Sequence, residues 1–292
     1  MAGWSGKSRG TLLSIRIYVF IIRTFGLYPA YFLLIFITLY FFIFAPSSTR
    51  SIYYYFRRRL GFSGFSAFIN VYKSYFKYGK VQLDRVLITA GMKERYSFDF
   101  DGIAHIENLR KLNSGGILLT AHIGNFNLAK HFFDEQHTSA VINLVISDFE
   151  HENIKNYMES VTGKSAVKII VLQKDLSHIF KMNQALKNNE LLVFAADRYM
   201  EEAKTWEADF LGAKAKFPQG PFKLAVRNDI PVLFVHIMRE RNFHYHFYAR
   251  PYIPEKNTPK EVLKAYLENL EKMVKTYPHQ WYNFYDYWND FS

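Results

Sequence analysis

The chain has 292 residues, 49% hydrophobic and 18% aromatic, with 37 Lys and Arg against 26 Asp and Glu (net charge +11) and no cysteine. This much apolar side chain excludes a disordered polypeptide and allows one large or two small domains at roughly 100–200 residues each. The lack of cysteine excludes a disulfide framework, a Cys-ligated zinc or iron–sulfur site and a thiolate nucleophile.

The charge excess is local. No Asp or Glu precedes Asp84, whereas eleven Lys and Arg do, and the 26 basic and 26 acidic residues from Asp84 onward cancel. The first 83 residues also hold 23 of the 53 aromatics. Basic residues flanking apolar sequence suit anionic lipid headgroups rather than nucleic acid, so an anionic phospholipid membrane is the expected partner and no nucleic acid is.

Residues 27–45 (LYPAYFLLIFITLYFFIFA) carry no charge, and a helix of that length rises about 28 Å, close to the hydrocarbon thickness of a bilayer. Arg23 and Arg50 bracket the stretch, and basic residues on its two sides balance, so charge leaves its orientation open. Spanning the bilayer or lying in one leaflet, residues 1–50 read as an anchor, and 51–292 as one α/β domain with a helical lead-in. Residues 53–59 (YYYFRRR) are expected as an interfacial belt. Residues 50–91 read as helical, with Phe65, Phe68, Ile69, Tyr72, Tyr75 and Phe76 as a stripe packed against the domain behind it.

Beyond this the pattern alternates. Strands are expected over 96–100, 117–120, 140–146, 167–172, 191–195, 231–238 and 244–249. Helices are expected over 125–133, 151–161, 176–187, 220–227 and 259–276. Strands alternating with helices give a largely parallel sheet flanked by helices.

The chemistry concentrates at residues 120–133, TAHIGNFNLAKHFF. A strand ends, His122 follows, and Gly124-Asn125 open the next helix. In such sheets ligands and catalytic groups collect where strands end, and the first N–H groups of a helix receive anions. A structural histidine explains the same position.

HIGNFN (His122, Gly124, Asn125), AADRYM (Asp197, Arg198), FLGAKAKFPQGPFKLA (Gly212, Gly220) and the terminal QWYNFYDYW together resemble the lysophospholipid acyltransferase superfamily, in its lipid A late acyltransferase branch. The resemblance covers about two-thirds of the chain in the right order. It implies transfer of a fatty acyl chain from an acyl carrier protein or coenzyme A thioester to a hydroxyl or amine of a membrane lipid or glycolipid. It places the domain on the cytoplasmic face of a bacterial inner membrane, with no cofactor. His122 is implied as general base, N–H groups near Gly124 as oxyanion donors, and Gly124, Asn125, Asp197, Arg198, Gly212 and Gly220 as substrate contacts.

Asn127, the second catalytic residue implied, departs from the family, which carries a carboxylate there: its amide oxygen can still accept the imidazole N–H but cannot offset the charge that develops. Three explanations stay open: another carboxylate (Asp134, Glu135 or Asp197) takes the role, the acceptor is an easily activated amine, or the protein binds lipid without turnover. The other features are plainer. His244 and His246 alternate on one strand without an evident acidic cluster, so no metal site is expected. His131 and His137 flank Asp134-Glu135 and read as an exposed helix end. Lys214 and Lys216 read as solvated. GFSG at 61–64 is no nucleophile elbow, which leaves an esterase without its serine, and the chain has no Walker A loop or GxGxxG.

Overall fold

A computed structural model describes residues 20–22, 24–89, 92–112, 114–128, 141–146, 167–173, 175, 177–200, 202–227 and 230–288. The chain begins with the apolar helix α1 (Leu27–Phe44), then α2 (Pro46–Tyr54), a π-helical segment (Tyr55–Arg59) and the long α3 (Gly64–Thr89). The continuous helix expected over 50–91 is broken. The π turn ends it, and Gly61 takes a φ of +74° that L side chains rarely adopt.

Seven strands form one sheet: β1 (Ser97–Asp101), β2 (Gly116–Thr120), β3 (Ile142–Ile146), β4 (Val167–Val171), β5 (Leu191–Ala195), β8 (Val232–Arg241) and β9 (His244–Pro251). Their order is β1-β9-β8-β2-β5-β3-β4, parallel throughout except for the antiparallel β8–β9 hairpin. The helices α4 (Ile103–Lys111), α5 (Ser177–Lys187), α6 (Gln219–Ala225) and α7 (Pro259–Thr276) flank it. A separate antiparallel hairpin, β6 (Thr205–Phe210) with β7 (Ala213–Pro218), turns at Leu211-Gly212, both in the left-handed region. Neither this hairpin nor α4 was expected, although β6 (TWEADF) and β7 (AKAKFP) alternate polar with apolar residues; α4 is only nine residues long. The segments 129–133 and 151–161, expected as helix, lie outside the described residues.

The central strands are buried on both faces, which is why GILLT and LLVFA read as unbroken apolar runs. In β2, Ile117 and Leu119 join one core cluster, with Phe222, Phe234 and Tyr266, while Leu118 joins a second, with Leu87, Ile106 and Val235. The sheet thus lies between two apolar layers. Helix α7 supplies Val262, Leu263, Tyr266, Leu270 and Val274 to the first, and Thr258 caps it by accepting a hydrogen bond from the Glu261 N–H.

Helix α1 has a mean hydropathy of 2.1 and is long and apolar enough to cross a membrane. It is docked on α3, where a Cβ on Gly79 would lie 2.3 Å from Leu34 Cδ1, so glycine lets the two backbones approach. Its outer face exposes Phe32, Phe36, Tyr40 and Phe44. The aromatic stripe of α3 divides: Tyr75 is buried, but Phe65, Phe68 and Ile69 are exposed beside α1, where Phe68 meets Phe42 edge-on at 5.0 Å. The YYYFRRR stretch divides too, because the π turn drives Tyr55 and Phe56 into the core and leaves Arg57 and Arg58 outside.

Candidate active site

His122 follows the C-terminal end of β2, and Asp197 follows that of β5. The two strands are adjacent and parallel, with Thr120 opposite Ala195; two residues further on, the same register sets His122 opposite Asp197. The contact is direct: Nδ1 of His122 lies 2.7 Å from Asp197 Oδ1, and the His122 N–H donates to that oxygen at 3.0 Å. Trp281 Nε1–H donates to Oδ2 at 3.2 Å, and the Tyr287 hydroxyl donates to the Asp197 carbonyl at 2.8 Å. The carboxylate is fully enclosed, whereas the imidazole is 33% exposed.

Burial pushes the Asp197 carboxyl up, but the charge of His122, its hydrogen bonds and the nearby Arg198 charge outweigh this and hold it at about 2. Asp197 is therefore an anion at neutral pH. Bonded to Nδ1, it holds the ring in one orientation and favours the imidazolium if the ring gains a proton. His236 on β8 makes the contrast: burial lowers its imidazole to about 4, it bonds Asn269, and it is enclosed.

The loop after His122 is tightly built. Gly124 has a φ of +63°, and a Cβ there would sit 2.1 Å from the Ile237 carbonyl oxygen. Its N–H donates to Gln280 O, and the N–H of Asn125 donates to Ile237 O. Two of the N–H groups near Gly124 expected to receive an oxyanion are thus engaged in holding the loop. The Asn125 side chain is buried, its Nδ2 donating to Val81 O and to the Tyr245 hydroxyl, so it braces the loop rather than lining an open cleft.

The C-terminal aromatic segment contributes what the sequence did not signal. Besides Trp281 and Tyr287, the Tyr282 N–H donates to His122 O, and Ile123 bridges to Trp281, so residues 280–287 clasp both sides of the dyad. Arg198 also turns to this segment, donating to Tyr282 O and lying 5.6 Å from the Tyr285 ring. Gly212 lies in the β6–β7 turn and Gly220 in the first turn of α6, with open space around Gly220 where a side chain would project.

Asn127 lies in a single 3₁₀ turn, Phe126–Leu128, and its side chain lies outside the described set. Asp134, Glu135, His131 and His137 are also outside the described residues. An open cleft of about 500 Å³ lies between β6 and α7, lined by Trp206, Asp209, Leu263 and Glu271 among others, and includes no part of the dyad. Lys214, at the hairpin, pairs with Asp209 at 2.8 Å in the open. The expectation of no acidic group near His244 is corrected: Asp99 and Glu240 both stand beside it, the first brought in by the parallel β1–β9 pairing.

Residues 74–290, well over half of the chain, match the family model described as bacterial lipid A biosynthesis acyltransferase. No curated protein matches the chain.

Proposed function

Because the chain belongs to the bacterial lipid A biosynthesis acyltransferase family, we propose that His122 and Asp197 form the catalytic pair of a membrane-bound enzyme that acylates a lipid. The donor is a fatty acyl thioester of acyl carrier protein or coenzyme A, and the acceptor is a hydroxyl or amine of a membrane lipid or glycolipid. The nitrogen opposite Nδ1 accepts the acceptor's proton as its oxygen or nitrogen bonds to the thioester carbonyl carbon. The tetrahedral adduct then expels the thiolate, which takes the proton back from the imidazolium. Asp197 acts through His122, fixing its tautomer and offsetting the positive charge that develops. In this reading Arg198, which also holds Tyr282 O, meets an anionic group of either substrate.

The observation that carries this reading is the 2.7 Å contact between a partly exposed imidazole and an enclosed carboxylate just beyond the ends of two adjacent parallel strands. In this reading the carboxylate absent at Asn127 is supplied by Asp197, just beyond β5. The alternative of a lipid-binding protein without turnover took its force from Asn127 alone.

Residues 1–50 are the anchor in this reading and 51–292 the acyltransferase domain. The exposed aromatic face of α1 and the adjoining Phe65 and Phe68 enter the lipid, and the basic residues before Asp84 meet anionic headgroups. The catalytic domain then faces the cytoplasm from a bacterial inner membrane, where acyl thioesters are made.

The test is acyl transfer by the purified full-length protein in anionic vesicles, with labelled acyl carrier protein and coenzyme A thioesters and a glycolipid-containing lipid extract. Labelled lipid forms with the wild type and falls by about 10²–10⁴-fold with His122→Ala. Wild-type turnover by that variant removes His122 as the base, and wild-type lipid binding with no turnover on any acceptor supports the non-catalytic alternative.

A further inference from the structure

We propose that Asp99 Oδ2, Glu240 Oε2 and His244 Nε2 form a binding site for a divalent cation of the zinc–manganese class. These three donor atoms lie within 4.8 Å of one another at the turn end of the β8–β9 hairpin. None of its three residues belongs to the His122–Asp197 pair, although β8 neighbours β2 in the sheet.

The imidazole is the telling group. His244 is 4% exposed, and its Nδ1 is anchored on Ser97 Oγ at 2.7 Å. Its Nε2 is buried and makes no hydrogen bond among the described residues, although Asp99 Oδ2 lies 3.2 Å away and Glu240 Oε2 3.5 Å away. A protonated Nε2 would donate to one of these oxygens. An unprotonated one turns its lone pair toward two anions, an arrangement that a cation between them makes favourable.

The spacing agrees. A four-coordinate cation with bonds of about 2.0–2.1 Å sets neighbouring donors about 3.3 Å apart. One imidazole with two carboxylates suits zinc or manganese better than a soft cation.

Local structure supports the same assignment. The β8–β9 register slips between Arg239 and Arg241, so Glu240 is the extra residue of a bulge, a device that re-aims a side chain. Its other oxygen, Oε1, is held by the hydroxyls of Tyr248 (3.0 Å) and Tyr277 (2.7 Å) and by His246 Nδ1 (3.0 Å), which leaves Oε2 for the cluster. Ser97 is the outer partner that orients the imidazole. Asp99 is 62% exposed at its side chain, so water completes the coordination. A bound cation staples β1 to the hairpin, whose turn residue Phe243 stacks on Tyr31 of α1 at 6.3 Å.

The test uses the full-length protein in detergent, stripped with a chelator and titrated with Zn²⁺ and Mn²⁺ by calorimetry and with Co²⁺ by visible absorption. One cation binds per chain, with the spectrum of Co²⁺ bound to nitrogen and oxygen. Asp99→Asn and Glu240→Gln each weaken binding at least about tenfold. Ser97→Ala, which frees only Nδ1, weakens it by about 10- to 100-fold, and His122→Ala leaves it unchanged. The exposed Asp99 lets its variant keep the fold, checked by circular dichroism. Equal affinity of wild type and D99N, no binding to either, or loss of binding in H122A overturns the site.

Discussion

Two enclosed aspartates in this protein do opposite things. Asp84 on α3 is surrounded by donors: the hydroxyls of Tyr31, Tyr96 and Tyr245 at 2.9–3.0 Å, and Arg239 Nε at 2.5 Å. Both Asp84 and Arg239 are closed to solvent. Asp197 is equally enclosed, but its partner is a partly exposed imidazole. In the first pair each charge is permanently matched and nothing reaches it, so the pair locks α1, α3, β8 and β9 together. In the second, one partner is an imidazole ring open to solvent. The difference teaches that burial alone does not tell two enclosed carboxylates apart; the exposure of the partner does.

The largest expected effect separates the pairs by rate. Asp197→Asn keeps the shape but presents an amide to Nδ1, and in serine hydrolase triads the same change costs about 10⁴-fold. A drop in kcat of roughly 10³–10⁴-fold is expected, measured by acyl transfer, while a loss under tenfold breaks the comparison. The pH profile sharpens it. The wild-type carboxylate stays ionised down to about 2, so an acid limb above that pH reports the imidazole, and removal of the anion moves that limb to lower pH. The depressed carboxyl also stabilises the fold above the unfolded value near 4. That contribution fades as pH falls from about 4 toward 2, and it is missing from the thermal stability of D197N across the neutral range.

The next effect falls on stability instead. Asp84→Ala leaves the Arg239 guanidinium enclosed without its counter-charge, which costs about 3–5 kcal/mol. Denaturant unfolding in detergent reads this, and a variant as stable as the wild type would show that the network is not a lock. The smallest effect is at Asn127. With Asp197 already on the imidazole, Asn127→Glu changes kcat by less than about tenfold in the same assay, and a gain beyond that returns the missing carboxylate to the centre of the mechanism.

Much of the fold is legible in the chain because its cues are local. The apolar runs GILLT and LLVFA announce strands covered on both faces, and Leu263, Tyr266, Leu267, Leu270 and Val274 recur at helical spacing. The β6–β7 hairpin carries a local cue as well, since TWEADF and AKAKF alternate polar with apolar residues, but Lys214 and Lys216 read equally as solvated loop residues. His122 is legible as a polar residue at a strand end, and Asp197 as one of three carboxylates able to replace Asn127. Singling it out was not possible, because 75 residues separate the pair. The same limit hid Asp99 and Glu240 from His244, and Trp281 from Asp197.

The sequence by itself determined the parts: an apolar basic N-terminus, strands of the right length, and an imidazole and a carboxylate each placed two residues beyond a strand. These follow from side-chain period and chain chemistry, which act over a few residues. Tertiary structure alone decided the partnerships, because strand order and register bring distant residues opposite one another. Register also decided which polar groups are sealed and which stay open, since exposure belongs to the assembled sheet and to no single segment.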